Sequence, residues 1–201
     1  EISRVIGYDN IPRKEFTIPS KNKELNLNEA KLKKYLTSYG FSEVINFPFV
    51  SENTVKSIKV DNSLDSNKEF LRTNLKKSLI NNLIYNERRQ KDSIKLFEVS
   101  DVYSYDKDIK KQRMIGIIAS GRVGNNYEEF SSIIDKKYLK KILNSFLKIN
   151  ESSFESVSRE SLSTKSKHPI TYLEIDLSDF EQDDFIYDDS ISICKSFITY
   201  Q

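Results

Sequence analysis

Few residues of this chain belong to the kinds that make or break bonds, and their spacing decides how each is read. His168 is the only histidine. A general base needs a positioned partner, no serine or cysteine is placed for it to activate, and Pro169 beside it puts it in a loop. Cys194 is the only cysteine, which excludes an internal disulfide and a multi-cysteine zinc site; it reads as a small hydrophobe in a strand. Residues 121–124, Gly-Arg-Val-Gly, have the GXXG spacing of loops that clamp nucleic-acid backbone between two helices. Here the pattern follows a strand-like run, MIGIIAS, and reads as an ordinary loop. Arg72 stands between Leu71 and Thr73. An arginine in apolar company needs a carboxylate, because an unpaired buried charge is costly, and Glu98 is the expected partner. Arg88, Arg89 and Lys91 form a basic run able to face nucleic-acid phosphates. The competing reading is a solvated helix end, where cations also suit the macrodipole.

Bulk composition narrows the setting of these residues. With 37% hydrophobic and 31% charged residues, the 201-residue chain can bury a core and stay in water. Its net charge of +2 is too small for a general nucleic-acid binder, so any such contact must come from a local patch. No apolar run reaches membrane-spanning length, and the start, EISRVIGYDN, has no signal-peptide character. One cysteine in the chain fits a reducing cytoplasm. The first residue is not Met and the end, ISICKSFITYQ, stops in a strand-like run, so the chain reads as a piece of a longer protein.

The elements that would position these residues follow from periodicity. A helix is expected from Asn26, with Glu29 completing a capping box, Leu32, Leu36 and Tyr39 at i, i+4, i+7, and Gly40 past its end. Phe41–Val50 reads as a strand with Ile45, Phe47 and Phe49 on one face; Pro48 makes it an edge strand or ends it. A second helix over roughly 74–88 carries Leu75, Leu79 and Leu83 on one stripe, with Ile80 and Ile84 widening it. IKLFEVSDVY is apolar on both faces and reads as a central strand. SYDKDIKKQ reads as a polar turn before the strand MIGIIAS. Asp135 can cap a helix bearing Leu139, Ile142, Leu143 and Phe146, and residues 150–158 and 171–177 read as two more strands. The sum is α+β: a mostly antiparallel sheet flanked by helices.

The run FLRTNLKKSLINNLIYNERRQKDSIKLFEVSDVY, in the order turn, helix, basic loop, strand, resembles the second signature motif of class II aminoacyl-tRNA synthetases. Specifically, EISRVIGYDNIP, NLNEAKLKKYLTSYGFSEVINFPFV, DNSLDSNKEFLRTNLKKSLINNLIYNERR and KLFEVSDVY together resemble the β subunit of bacterial phenylalanyl-tRNA synthetase. Asn62 and Leu64 match that family's Asn-Pro-Leu turn, with Ser63 in the proline position. Leu71, Arg72, Thr73 and Leu75 match its Leu-Arg-Thr-Ser-Leu, with Asn74 in the serine position. The resemblance covers nearly the whole chain, and residues 60–103 carry its specific part.

The resemblance implies a class II synthetase-like, non-catalytic core over 15–187. It would be preceded by the end of a helical domain (1–14) and followed by the start of a linker to an anticodon-binding domain (188–201). It implies a chain that catalyses nothing alone. A catalytic class II site needs an Arg past this strand to hold the ATP α-phosphate, and here Tyr103 is followed by Ser104, Tyr105 and Asp106. The implied partner is a catalytic α subunit, in an α2β2 heterotetramer that charges tRNA(Phe) with phenylalanine using ATP and magnesium. The family's magnesium site lies in the preceding domain. Glu1 aligns with its last ligand but is an orphan here, since a hard cation wants about six oxygens. No cofactor is expected on this segment itself. The expected subunit interface is Leu32, Leu36, Tyr39, Leu75, Leu79 and Leu83, with internal core as the equal alternative for the stripe Leu75, Leu79 and Leu83. The rival reading is an autonomous tRNA-binding module resting on Arg88, Arg89 and Lys91.

Overall fold

The computed structural model describes residues 2–10, 27–63, 65, 67–124, 131–146, 149, 153–160, 162 and 166–177. The elements are α1 (Ile2–Ile6), a 3-10 turn (Tyr8–Asn10), α2 (Leu27–Ser38), β1 (Ser42–Glu43), β2 (Phe49–Val50) and β3 (Phe70–Leu71). They continue with α3 (Lys76–Glu87), β4 (Ser93–Asp106), β5 (Asp108–Gly121), α4 (Lys136–Asn144), β6 (Phe154–Val157) and β7 (Ile170–Asp176).

The main sheet has five strands in the order β1-β4-β5-β7-β6, and β2 and β3 form a separate pair. Three of the neighbouring pairs in the main sheet are antiparallel, but β1 runs parallel to β4, with Ser42 opposite Leu96. The sheet is therefore mixed rather than antiparallel throughout. The strand expected over Phe41–Val50 is cut short. Its first part is β1, at the sheet edge; its last part, after Pro48, joins β3 instead, with Phe49 opposite Leu71. β1 already ends at Glu43, and Pro48, which has no N–H to give a ladder, stands just before β2.

The hairpin of β4 and β5 is longer than expected. The residues read as the turn SYDKDIKKQ are strand, and the two arms meet at Asp106, Lys107 and Asp108, with Lys107 at φ 67°. Both faces of that arm are wet near its tip, so no apolar alternation marks it as strand.

Strand alternation sorts the core into two layers. Phe97, Val99, Ile115, Ile117 and Leu173 face α2 and α4, where Leu32, Leu36, Leu139, Leu143 and Phe146 close over them. Ile94, Leu96, Ile118, Ile170 and Tyr172 face α3 and its Leu75, Leu79 and Leu83. Gly116 lies on the α3 side, where a Cβ would come 2.7 Å from Leu79 Cδ1 and 3.0 Å from Leu75 Cβ. Its missing side chain is what lets α3 settle on the sheet. The helix α2 ends in a Schellman motif: Gly40, at φ 78°, donates to Thr37 O (3.0 Å) and Phe41 N donates to Leu36 O (3.1 Å). Asp135 caps α4, accepting from Tyr138 N at 2.7 Å.

Candidate functional site

Arg72 emerges from β3 with its backbone held on both sides. Its N–H donates to Pro48 O (2.8 Å) and its carbonyl accepts from Tyr103 N (3.0 Å). The guanidinium then turns into the protein. Nη1 donates to Glu98 Oε1 at 2.7 Å, Nε to Asp101 O at 3.2 Å, and Nη2 to the Ser100 hydroxyl. Arg72 is 2% and Glu98 1% exposed. The second Glu98 oxygen accepts from Asn46 Nδ2 at 2.7 Å, and Asn46 Oδ1 accepts from Asn82 Nδ2 at 2.9 Å. One ion pair, extended through Asn46, thus ties the 44–50 segment, the middle of α3 and β4 together. Every arm of the fork is occupied within the chain, so this arginine holds structure and offers nothing to a phosphate.

Beside it, Glu98, Gly116 and Glu174 form one row across β4, β5 and β7. Glu174 Oε1 accepts from Leu75 N at 3.0 Å, at the start of α3, and Oε2 pairs with the Tyr172 hydroxyl. A carboxylate from the sheet therefore joins Asn74, whose Oδ1 accepts from Lys76 N at 3.2 Å, in satisfying the first N–H groups of α3. Burial pushes the Glu174 carboxyl above its usual range, against the opposing pull of Tyr172, Leu75 N–H, Arg72 and Lys76. Burial, with Glu174 adjacent, also pushes the Tyr172 hydroxyl up.

The other face of the sheet carries a half-exposed ion network. Arg113 clamps Glu29 with Nη2 (2.8 Å) and Nε (3.1 Å) and reaches Asp101 at 3.3 Å; Lys111 meets Asp101 at 3.0 Å. Lys33 bridges Glu29 (3.2 Å) and Glu43 (2.7 Å). Burial works to raise the Glu29 carboxyl, but hydrogen bonds from Arg113 and Lys33 outweigh it and hold it low. Asp101 is held low in the same way by Lys111 and Arg113. Glu29 was expected in a capping box with Asn26; Asn26 lies outside the described residues, and Glu29 is spent on the sheet.

The expected interface residues need correction. Leu32, Leu36, Leu75, Leu79 and Leu83 are each 0% exposed, inside the chain's own two core layers; of that set only Tyr39, at 39%, reaches the surface. Both helices use their apolar stripes on the sheet, and Ile80 and Ile84 are half-buried there too. What is exposed instead is the segment after β1: Ile45 at 92% and Phe47 at 75%. Alternation about Pro48 marked these two as sharing a strand face but gave no sign that the face is outward.

Arg88, Arg89 and Lys91 lie just past α3. Arg89 stacks 3.3 Å over the Tyr85 ring and donates to Tyr85 O at 3.1 Å. Lys91 is exposed, and its N–H reaches back to Asn86 O at 3.3 Å. His168 sits in the loop before β7, where its carbonyl accepts from Arg159. Glu1 and Cys194 lie outside the described residues. Among the described residues there is no group of three or more His, Cys, Asp or Glu that could cage a metal ion. Nor is any described helix long and apolar enough to cross a membrane.

Comparison with known proteins agrees on one family. The profile described as "Phenylalanyl tRNA synthetase beta chain CLM domain" matches residues 10–180. A phenylalanine–tRNA ligase beta subunit of Carboxydothermus hydrogenoformans is 31% identical over 195 residues, covering 87% of this chain and 24% of that one. The counterpart from Mycoplasma mycoides subsp. mycoides SC is 30% identical over 174 residues, covering 78% of this chain and 22% of that one. The chain thus spans about a quarter or less of the length of these relatives. Among solved structures, a pyrrolysyl tRNA synthetase of Desulfitobacterium hafniense aligns at TM-score 0.48 with 17% identity, covering 77% of this chain and 66% of that one. That likeness is too slight to carry an argument. The profile match over most of the chain and the two beta-subunit relatives show that the chain belongs to the phenylalanyl tRNA synthetase beta chain family.

Proposed function

We propose that this chain is the class II-like, non-catalytic core of a phenylalanine–tRNA ligase β subunit, and that it works by assembling with the catalytic α subunit. The whole enzyme, an α2β2 heterotetramer of the cytoplasm, would charge tRNA(Phe) with phenylalanine using ATP and magnesium. The core would run over 15–187, between the end of a helical domain (1–14) and a linker (188–201). None of the bond-making residues would come from it. The observation that carries this reading is a division of labour among side chains. The arginine of the Leu-Arg-Thr run is buried and bonded to Glu98, Ser100 and Asp101, while Ile45 and Phe47 are largely exposed beside the edge strand β1, Phe47 with Lys68 over its ring. Polar groups are turned inward to hold structure, and apolar ones are turned outward, where a protein partner would cover them. The interface accordingly centres on Tyr39, Ile45 and Phe47 rather than on the two leucine stripes. Arg88, Arg89 and Lys91 would lie toward tRNA in the full complex.

The test is co-expression of the full-length β subunit with the α subunit of the same genome, followed by size-exclusion chromatography with light scattering. Phe47→Asp is expected to leave the β subunit folded and to abolish pairing, because burying a charge at a contact centre costs at least about 2 kcal/mol. Tyr105→Asp, at another exposed site, should pair normally. If Phe47→Asp still forms the complex, the interface lies elsewhere. If neither wild type nor variant pairs while salt-sensitive tRNA binding persists, the module is an autonomous RNA binder.

A further inference from the structure

A cavity of about 330 Å³ lies at the end of the sheet remote from the hairpin turn, between the turn after α3, the ends of β4 and β5 and the loop before β7. Neither the Arg72 centre nor the exposed 44–50 segment accounts for it. We propose that it holds a phosphomonoester group, gripped by Lys91 and Lys167.

The lining chooses the class of ligand. Its volume suits a small molecule, and Ile94 is its one apolar wall. Its lining has no phenylalanine, tyrosine or tryptophan, and His168 supplies the one ring; with two lysines facing it, the contact is to a phosphate and the small group that carries it. Lys91 and Lys167 reach the cavity from two different segments, and neither amine meets an acid among the described residues. Lys33 and Lys77, by contrast, are spent on carboxylates.

The nearby negative charge is largely neutralised. Glu87, on one wall, is clamped by Arg159 at 2.8 and 3.2 Å, and the same guanidinium donates to Ser120 Oγ (2.8 Å) and to the His168 carbonyl. Arg159 thereby cancels one acid and fixes the loop that presents Lys167. Asp92 remains, one carboxylate against two lysines. The end of α3 would also repel an anion through its free carbonyls. Those carbonyls are taken: Ile84 O by Arg88 N (3.0 Å), Asn86 O by Arg89 N (2.9 Å) and Glu87 O by Gln90 N (3.0 Å). The floor is fixed by Gly121, at φ 99°, where a Cβ would stand 1.7 Å from Asp92 O. No other residue can hold that turn without moving Asp92.

The experiment is lysine footprinting of the full-length protein: acetylation read by mass spectrometry, with glycerol 3-phosphate as probe. Acetylation of Lys91 and Lys167 should slow in a saturable way, by about tenfold at ten times the half-saturating concentration. Exposed Lys107 should not change. Lys91→Gln should raise the half-saturating concentration for protection of Lys167 by about tenfold, through loss of one charge-assisted contact. A short oligoribonucleotide with and without a 5′-phosphate separates the sources: protection by the phosphorylated form alone assigns the site to an RNA terminus, and protection by glycerol 3-phosphate assigns it to a small metabolite. No protection by either probe overturns the proposal. So does protection of Lys167 that ignores Lys91→Gln, or slowing spread over all lysines.

Discussion

Replacing Arg72 by Met should loosen the docking of α3 and the 44–50 segment on β4. The substitution keeps most of the side-chain volume but removes three contacts: Nη1 to Glu98 (2.7 Å), Nε to Asp101 O (3.2 Å) and Nη2 to Ser100. Glu98, at 1% exposure, would then carry a charge with only Asn46 to answer it. Breaking one side of a buried pair costs about 3–5 kcal/mol, because the remaining ion has lost water and gains no partner. The lower figure is more than a hundredfold in an opening equilibrium. The assay is amide hydrogen exchange on the full-length protein, followed at α3 and β4. Exchange there should accelerate by about two orders of magnitude, with α4 less affected. Arg72→Met combined with Glu98→Met should recover most of the protection, since both charges are then gone and Asn46 can turn to water. An acceleration below about fivefold in the single variant, or no recovery in the double, would refute the view that desolvated charge sets the cost.

Two further substitutions test the α3 docking. Gly116→Ala must push against Leu79 Cδ1 at 2.7 Å and Leu75 Cβ at 3.0 Å, and should cost about 1–3 kcal/mol, read as a lower melting temperature; an unchanged melt would show that α3 rides freely on the sheet. Glu174→Gln tests the raised carboxyl. A folded-state pKa above the unfolded one means that the glutamic acid favours folding below the unfolded value, and that this contribution is lost as pH rises through the folded value. The melting temperature of Glu174→Gln should therefore gain on wild type as pH rises from about 4 to 8, and parallel curves would sink the assignment.

What the residues disclosed in advance depended on whether their neighbours shared their fate. Gly40 could be placed past α2 because a helix end needs a left-handed residue, a requirement local to a few bonds. Arg72 sits between apolar neighbours, and the carboxylate it meets is Glu98, the nearest acid on a strand with buried faces. The hairpin tip from Ser104 to Gln112 was unreadable, because exposed polar strand and exposed polar turn have the same composition. The parallel register of β1 on β4 was hidden for another reason: it depends on where a distant segment lies, and its two residues carry no period. The leucine stripes of α2 and α3 announced burial correctly, but not what buries them. A sheet and a partner subunit ask for the same side chains. Exposed Ile45 and Phe47 show the converse: apolar residues turned outward, on a segment whose alternation put them on one face without saying which way it points.

The row Glu98, Gly116, Glu174 also polices how the strands line up. If β4 slid by one residue against its neighbours, Glu98 would enter the apolar layer beneath α2 and α4, and Phe97 would face Arg72. If β5 slid by two, the faces would stay correct, but Met114 or Ile118 would take the place of Gly116 under Leu79, where even a methyl group comes to 2.7 Å. An odd slip is punished by charge and an even slip by bulk. A chain whose long hairpin offers many nearly equivalent alignments is thus left with one that satisfies both.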